Sequence, residues 1–383
     1  METIKLYYED SFLQKFEARV VSCEASGALW AVTLDRTAFY PEGGGQACDR
    51  GMLGHANVVD VREQGEQVIH FCDQPLEVGS QVAGALDWER RLDQMQQHSG
   101  EHIVSGLLCS RFNCHNVGFH IGAETVTIDF DAPIPAEALM EIELEANRAI
   151  WQDLPFNCWY PASAELNALP YRSKKQLPWP VRIVDAGGYD LCACCGVHVK
   201  SAGSVGVIKL LTCVKFHQGV RIEMVCGKRA LKYLGDIYEQ NRLVSQAFSA
   251  KVLETGAAAQ KMNEALAAEK FRAAGLEKKL FGMMAAENQD DGNVVRFEND
   301  LTPAAIRDLA DAVAGVCGGL AAIFSGNDTE GYNVCLCSRT DDLRQLGKDL
   351  NQALQGRGGG KPGFFQGSVK ATRSQIEAFF QNR

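Results

Sequence analysis

The chain of 383 residues has no apolar run of eighteen, which argues against a transmembrane helix. Its start, Met1-Glu2-Thr3-Ile4-Lys5, lacks the basic-then-apolar layout of a signal peptide. Low-complexity tracts are missing too, so the composition reads as globular. Positive charge is short: 38 Lys and Arg stand against 48 Asp and Glu, a net charge of −10. That excludes a protein coating nucleic acid by bulk charge, but leaves room for a basic face on an acidic molecule. Cysteine, by contrast, is plentiful, at 14. Without an export signal these thiols point to a reducing, cytoplasmic setting, as buried thiols or metal ligands rather than disulfides.

The length suits two or three domains, and the pattern indicates a multidomain α+β protein. Residues 1–88 are β-rich, with short apolar or alternating runs at Phe16-Val21, Ala28-Leu34, Gln67-Phe71 and Val82-Leu86 between glycine-containing turns. That spacing suggests a small N-terminal β-barrel. Within it, Thr37 to Gln46 includes Gly43, Gly44 and Gly45, a run that lets backbone approach a ligand and present N–H groups to anions. No Gly-Lys-Ser/Thr follows, so it is not a Walker loop. Residues 89–227 read as an α+β domain. Its segment Pro170–Arg182 carries Arg172, Lys174, Lys175 and Arg182 beside Trp179, which fits a strand-binding surface or a solvated basic loop. Residues 228–290 change to a long helical pattern with Gly256 as a candidate break, suiting either an intramolecular hairpin or a coiled coil that joins a homodimer. Residues 291–383 alternate strand and helix, a small α/β domain. Its tail holds Arg357, Gly358, Gly359, Gly360 and Lys361. These glycine N–H groups and cations would suit a phosphate backbone, with Phe364 and Phe365 either stacking on bases or buried in the core.

The residues that carry chemistry are concentrated in residues 89–227. His98 and His102 are four apart in a segment of helical apolar spacing that includes Leu92, Met95, Ile103 and Leu107. Side chains at i and i+4 share a helix face, so the two imidazoles can grip one ion. A second half-site, Cys192-Ala193-Cys194-Cys195-Gly196-Val197-His198, adds His198 and one of three thiols. Two histidines from a helix plus a Cys/His pair from a turn make a tetrahedral nitrogen/sulfur set suited to one Zn2+ per chain. Periodicity does not choose among Cys192, Cys194 and Cys195. Four protein ligands usually describe a structural zinc, whereas a hydrolytic zinc keeps an open position for water. Glu101 precedes the second histidine, unlike the metalloprotease order, and on the helix it shares a side with the histidines, where it would hydrogen-bond water or a substrate amine.

Thr37-Ala38-Phe39-Tyr40-Pro41-Glu42-Gly43-Gly44-Gly45-Gln46, His98-Ser99-Gly100-Glu101-His102 and Cys194-Cys195-Gly196-Val197-His198 together resemble the AlaX family, relatives of the editing half of alanyl-tRNA synthetase. Gly219-Val220-Arg221-Ile222-Glu223 is similar to the strand closing the family's zinc domain, and Arg357–Pro362 to the glycine-rich signature of the DHHA1 domain, an RNA-binding module in the synthetase. The resemblance spans nearly the whole chain and matches the long form. It implies His98, His102, Cys194 and His198 as zinc ligands, and hydrolysis of serine, or glycine, from mischarged tRNA(Ala). It places Thr37 and Gln46 near the amino acid, and gives tRNA contacts to Gly43–Gly45 and Arg357–Lys361. No aminoacylation is expected, because the barrel begins at once. The chain departs from the family's usual Cys-Gly-Gly-Thr-His at Cys195 and Val197. Val197 removes a hydroxyl, while zinc binding should survive both changes. A phosphodiesterase reading lacks its Asp-His-His triplet, and no membrane partner is expected.

Overall fold

The computed structural model describes residues 2–173, 177 and 179–381. Lys174 and Lys175 of the basic segment lie outside them. Two compact units are present, Met1–Leu243 and Val244–Arg383.

The first unit opens with β1 (Lys15–Ser26), β2 (Leu29–Leu34), β3 (Gly51–Leu53), β4 (Ala56–Gln64), β5 (Gln67–Cys72) and β6 (Gln81–Leu86). They bond in the order β1-β2-β5-β4-β3-β6, and β6 pairs back onto β1, closing a barrel. Alternation supplies its interior: Phe16, Ala18 and Val20 are buried between exposed Lys15, Glu17 and Arg19, the period-2 pattern of a half-buried strand. Gly84 sits opposite Phe16, where a methyl group would overlap the Phe16 ring.

Next comes α1 (Trp88–Phe112), capped by the Asp87 carboxylate, which accepts the Arg90 N–H at 3.2 Å, and ended by Asn113 in the left-handed region at φ 48°. Every residue from Gln97 to Leu108 is buried. A helix enclosed on all sides must bring its polar side chains in with partners, and this sets up the site. Around it lie β7 (Asn116–Ile121), β8 (Val126–Phe130), α2 (Leu139–Trp151), β9 (Phe156–Trp159), β10 (Ile183–Ala186), β11 (Leu191–Ala193), β12 (Ile208–Phe216) and β13 (Gly219–Cys226). One antiparallel sheet runs β12-β13-β8-β7 and another β9-β10-β11. α1 packs close to both: a side chain at Gly100 would overlap the Cys226 thiol, and one at Gly106 the Tyr189 carbonyl. Alanine would favour the helix by about 1 kcal/mol at either position, so close approach decides the residue.

A buried ion pair fixes the glycine-bearing segment to α1. Arg91 bonds the Asp49 carboxylate and also donates to the carbonyls of Ser11 (2.9 Å) and Ala38 (2.5 Å), while Asp49 accepts the Tyr40 N–H at 2.6 Å. Further hydrogen bonds thus surround the pair, the condition under which such a pair is tolerated.

α3 (Gly227–Phe248) and α4 (Thr255–Ala286) follow. The break falls at Ser249, left-handed at φ 50°, and a 3-10 turn at Val252–Glu254. Gly256, the break expected from sequence, lies in the first turn of α4 instead, because a glycine at a helix start has no ladder to interrupt. The apolar rows of both helices stay exposed, with Leu231 at 70% and Phe271 at 84%.

The second unit continues with β14 (Gly292–Glu298), α5 (Pro303–Ala314), β15 (Gly318–Asn327), β16 (Gly331–Ser338), α6 (Arg344–Ala353), β17 (Arg357–Lys361), β18 (Phe364–Val369) and α7 (Arg373–Gln381). The sheet order is β14-β15-β16-β18-β17. Its two faces carry separate cores: Cys335 and Cys337 of β16 face one, Val334 and Leu336 the other. In the tail, Arg357–Lys361 forms an edge strand paired with β18. Phe365 is buried against Gly347 and so cannot stack on a base, whereas Phe364 is half-buried. The reason is pairing: glycines that would be too floppy alone become a strand when a neighbouring strand supplies the ladder.

Among the described residues no helix is long and apolar enough to cross a membrane.

Candidate metal centre

His98, His102, Cys194 and His198 come together with their ligand atoms within 4.8 Å of one another. The first two project from α1 one turn apart; the others come from the turn after β11. That turn is held independently of any ligand. Arg182 donates through Nη1 to the carbonyls of Cys194 (3.0 Å) and Gly196 (2.8 Å), Tyr8 donates its hydroxyl to the Cys195 carbonyl at 2.8 Å, and the Gly196 N–H reaches the Cys194 Sγ at 3.3 Å. Gly196 must be glycine, because a side chain there would overlap His98 Cε1.

Each histidine is anchored through Nδ1. For His98 the partner is Gln46 Oε1 at 2.9 Å, for His102 Asp190 Oδ2 at 2.7 Å, and for His198 Ser99 Oγ at 3.3 Å. This outer arrangement sets the ring orientation and makes Nε2 the candidate ligand atom of each ring. His98 Nε2 lies 3.4 Å from Cys194 Sγ, and His198 Nε2 is buried without a hydrogen-bond partner. An orphaned buried imidazole nitrogen beside two more imidazoles and a thiol is costly in isolation. It fits a tetrahedral zinc site of three imidazole nitrogens and one sulfur.

Electrostatics point the same way. Burial disfavours charge on His102, yet the Asp190 hydrogen bond and the charges of Glu101 and Asp190 outweigh it and raise its pKa. Burial would raise Asp190, but His102 and Arg172 hold it below the usual carboxylate range. Burial pushes the Cys194 thiol up to about 11 and, with the neighbouring imidazoles, holds His198 well below the ordinary imidazole value. A dication would take the place of these protons, since coordination needs the thiolate and neutral rings.

The other residues singled out from sequence sit as follows. Glu101 is buried beside the histidines; its Oε1 accepts Ser105 Oγ (2.5 Å) and Asn116 Nδ2 (2.6 Å), and Arg172 lies 3.8 Å away. Gln46 touches the cluster through His98, and its buried Nε2 has no hydrogen-bond partner. Thr37 is not brought to the four ligands: its hydroxyl contacts His70 Nε2 at 2.8 Å and accepts the Phe39 N–H at 3.0 Å in the barrel core. Gly43–Gly45 cover the Cys195 side of the turn. An added Cβ at Gly44 would stand 3.0 Å from the Cys195 sulfur, and one at Gly45 2.6 Å from the Phe119 ring. Arg357–Lys361 belongs to the second unit. Of the basic segment's described residues, Arg172 turns inward to Asp190 (2.5 and 2.7 Å) and Arg182 to the turn.

Asp190 and Asn116 are the site residues sequence reasoning missed, and Arg172 and Arg182, read there as a binding surface or solvated loop, support the site instead. Only the Asp190-Leu191-Cys192 proximity to the cysteine turn carried any signal for the missed residues.

Three family models match the chain: class II (A) tRNA synthetases over residues 4–90, the second additional domain of threonyl and alanyl tRNA synthetases over 181–224, and the DHHA1 domain over 290–382. The alanyl-tRNA editing protein Aarsd1 of Mus musculus is 28% identical over 401 aligned positions, covering 98% of this chain and 97% of its own. The alanyl-tRNA editing protein AlaX-L of Pyrococcus horikoshii is 35% identical over 243 positions, 61% of this chain and 60% of that one. An alanine–tRNA ligase of Pyrococcus abyssi is 31% identical, covering 98% of this chain and 43% of the ligase. With the editing-type and DHHA1 domains in this order and relatives of that name along nearly the full length, the chain belongs to the AlaX family of alanyl-tRNA editing proteins, in the long form that carries a DHHA1 domain.

Proposed function

We propose that this chain hydrolyses the ester between a wrong amino acid and the 3′ end of tRNA(Ala), with serine as the main target and glycine as a second. The observation that carries the reading is the buried cluster of three histidines and a cysteine, whose three Nδ1 atoms are already anchored. Zinc held by His98, His102, Cys194 and His198 would supply a Lewis acid for the ester carbonyl. The chain's own groups do the rest. Gln46 holds His98 through Oε1 and keeps its amide Nε2 as a donor for substrate. Glu101 fixes Asn116 and Ser105, and its second carboxylate oxygen is the acceptor for a water proton or the substrate amine. Thr37 is held by His70, which burial pushes down to about 4 and so keeps neutral; its hydroxyl reaches substrate only by exchanging that partner.

The need for such an enzyme is physical. An apolar synthetic pocket cannot strongly reject a molecule that adds one hydroxyl, so a second site must remove the error. A site that hydrogen-bonds the serine hydroxyl spares alanine, whose methyl would leave those polar groups unpaired. Contacts to tRNA are assigned to Gly43–Gly45 at the cluster and, in the second unit, to the exposed edge strand from Arg357 to Lys361.

The test is deacylation of seryl-, glycyl- and alanyl-tRNA(Ala) by wild type and Cys194→Ala, with zinc content measured on both. Rapid serine loss with alanine retained, abolished together with the metal, is expected. Wild type with stoichiometric zinc that clears none of the three would overturn the reading. The four protein donors, a closed set, would then favour a tRNA-binding protein with a structural zinc.

A further inference from the structure

A groove of about 570 Å³ opens in the first unit beside the cluster, lined by the loop after Gln46, the start of α1, the β7–β8 turn and the start of α3. Its cations are Arg90, Lys228, Arg229 and Lys232, and its acids Glu89 and Asp93. Arg229 and Asp93 cancel: they pair at 2.6 Å, and Arg229 also donates to the Gly122 carbonyl at 2.8 Å. Arg90 is tied to the Cys48 carbonyl at 3.0 Å and keeps its charge. Lys228 and Lys232 carry their ammonium groups on long exposed stems. Their partners, Glu89 and Asp236, are exposed too. Such exposed surface pairs are weak and screened by salt, so an incoming phosphate competes with them readily.

One strand links the groove to the metal cluster. On β7 the Phe119 ring lies 4.9 Å from the His98 ring, and Ile121, on the same side two residues on, lines the groove. Two strand residues span about 6.6 Å. The glycine run follows the same line: the Ile121 N–H reaches the Gly45 carbonyl at 3.4 Å, and Gly45 has no side chain to separate it from Phe119. A chain attached at the cluster can therefore leave over Gly45 and Phe119 and enter the groove at once.

We propose that this groove holds the phosphate backbone of the unpaired 3′ end of tRNA, just before the esterified terminal nucleotide, with Lys228 and Lys232 as its phosphate contacts. The inference rests on the proposed editing reaction for the placement of the ester. Recognition is by charge and is independent of sequence. It anchors the end of the strand while the cluster acts on the ester.

The experiment uses the full chain and fluorescence anisotropy with an end-labelled acceptor-stem hairpin RNA, intact or trimmed of its unpaired 3′ nucleotides. Lys228→Ala/Lys232→Ala is compared with wild type and with Lys15→Ala/Lys215→Ala, which removes the same charge elsewhere on this unit. The groove variant should bind the intact hairpin about tenfold more weakly. Its slope of log affinity against log salt should fall by about 1.4, from two single-strand phosphate contacts at about 0.7 each. The trimmed hairpin should no longer distinguish it from wild type. In seryl-tRNA deacylation its loss should fall on half-saturation rather than on the rate at saturation. Affinity and salt slope matching wild type, or a loss no greater than that of the control variant, would overturn the proposal. If wild type fails to deacylate but the binding differences hold, the editing reading fails and the groove stands.

Discussion

Asp190→Asn tests the outer support of the metal centre most directly. In the native protein Asp190 Oδ2 takes the His102 Nδ1–H at 2.7 Å, both residues being buried, and the same carboxylate receives the part-buried Arg172 at 2.5 and 2.7 Å. Asparagine keeps the size and removes the charge. Loss of a carboxylate behind a ligating histidine typically weakens metal affinity 10–100-fold, about 1.4–2.7 kcal/mol. Arg172, part-buried, is left with Glu101 at 3.8 Å, so losing its carboxylate partner lowers fold stability as well. Chelator competition gives zinc affinity, and denaturant unfolding of zinc-loaded and zinc-free protein separates it from stability. The pH dependence provides an independent check. Asp190 raises His102, so below that raised value zinc must displace a proton from His102 as well as from Cys194, and native affinity falls by about two decades per pH unit. Without Asp190 the His102 proton competes only at lower pH, so over that window the variant should fall by about one decade per unit. An Asp190→Asn protein with native zinc affinity and the native pH slope would refute the reasoning.

Two further outcomes follow from packing. Gly196→Ala places a methyl group on His98 Cε1, so the variant should keep its fold but lose most of its zinc by elemental analysis; full stoichiometry would show that the turn moves freely. Phe365→Ala empties a site that is 3% exposed in the second unit's core, and should cost about 3–5 kcal/mol by urea unfolding of that unit. A change under about 1 kcal/mol would mean the β17–β18 hairpin is not packed there in solution.

Local chemistry was legible in the sequence. The i, i+4 histidines lie on one turn of α1, and the Cys194-to-His198 spacing fits within one tight turn, so both half-sites could be read from short-range order alone. The alternation of Phe16, Ala18 and Val20 marked a strand with one buried face for the same reason. The edge-strand state of Arg357–Lys361 was not legible, because a glycine run takes its conformation from the strand beside it. Nor were the inward turn of Arg172 and Arg182 and the capture of Thr37 by His70. A basic or polar side chain looks alike in sequence whether water or a buried partner receives it.

The sequence by itself therefore narrowed the candidate donors to two histidines four apart, His198 and one of three thiols, since that depends on residue type and spacing within a few positions. Only the tertiary structure decided what holds those ligands: Gln46 is 52 positions from His98, Asp190 88 from His102 and Ser99 99 from His198. Pairings of that range follow from how the barrel, α1 and the two sheets enclose one another, and no local pattern encodes them.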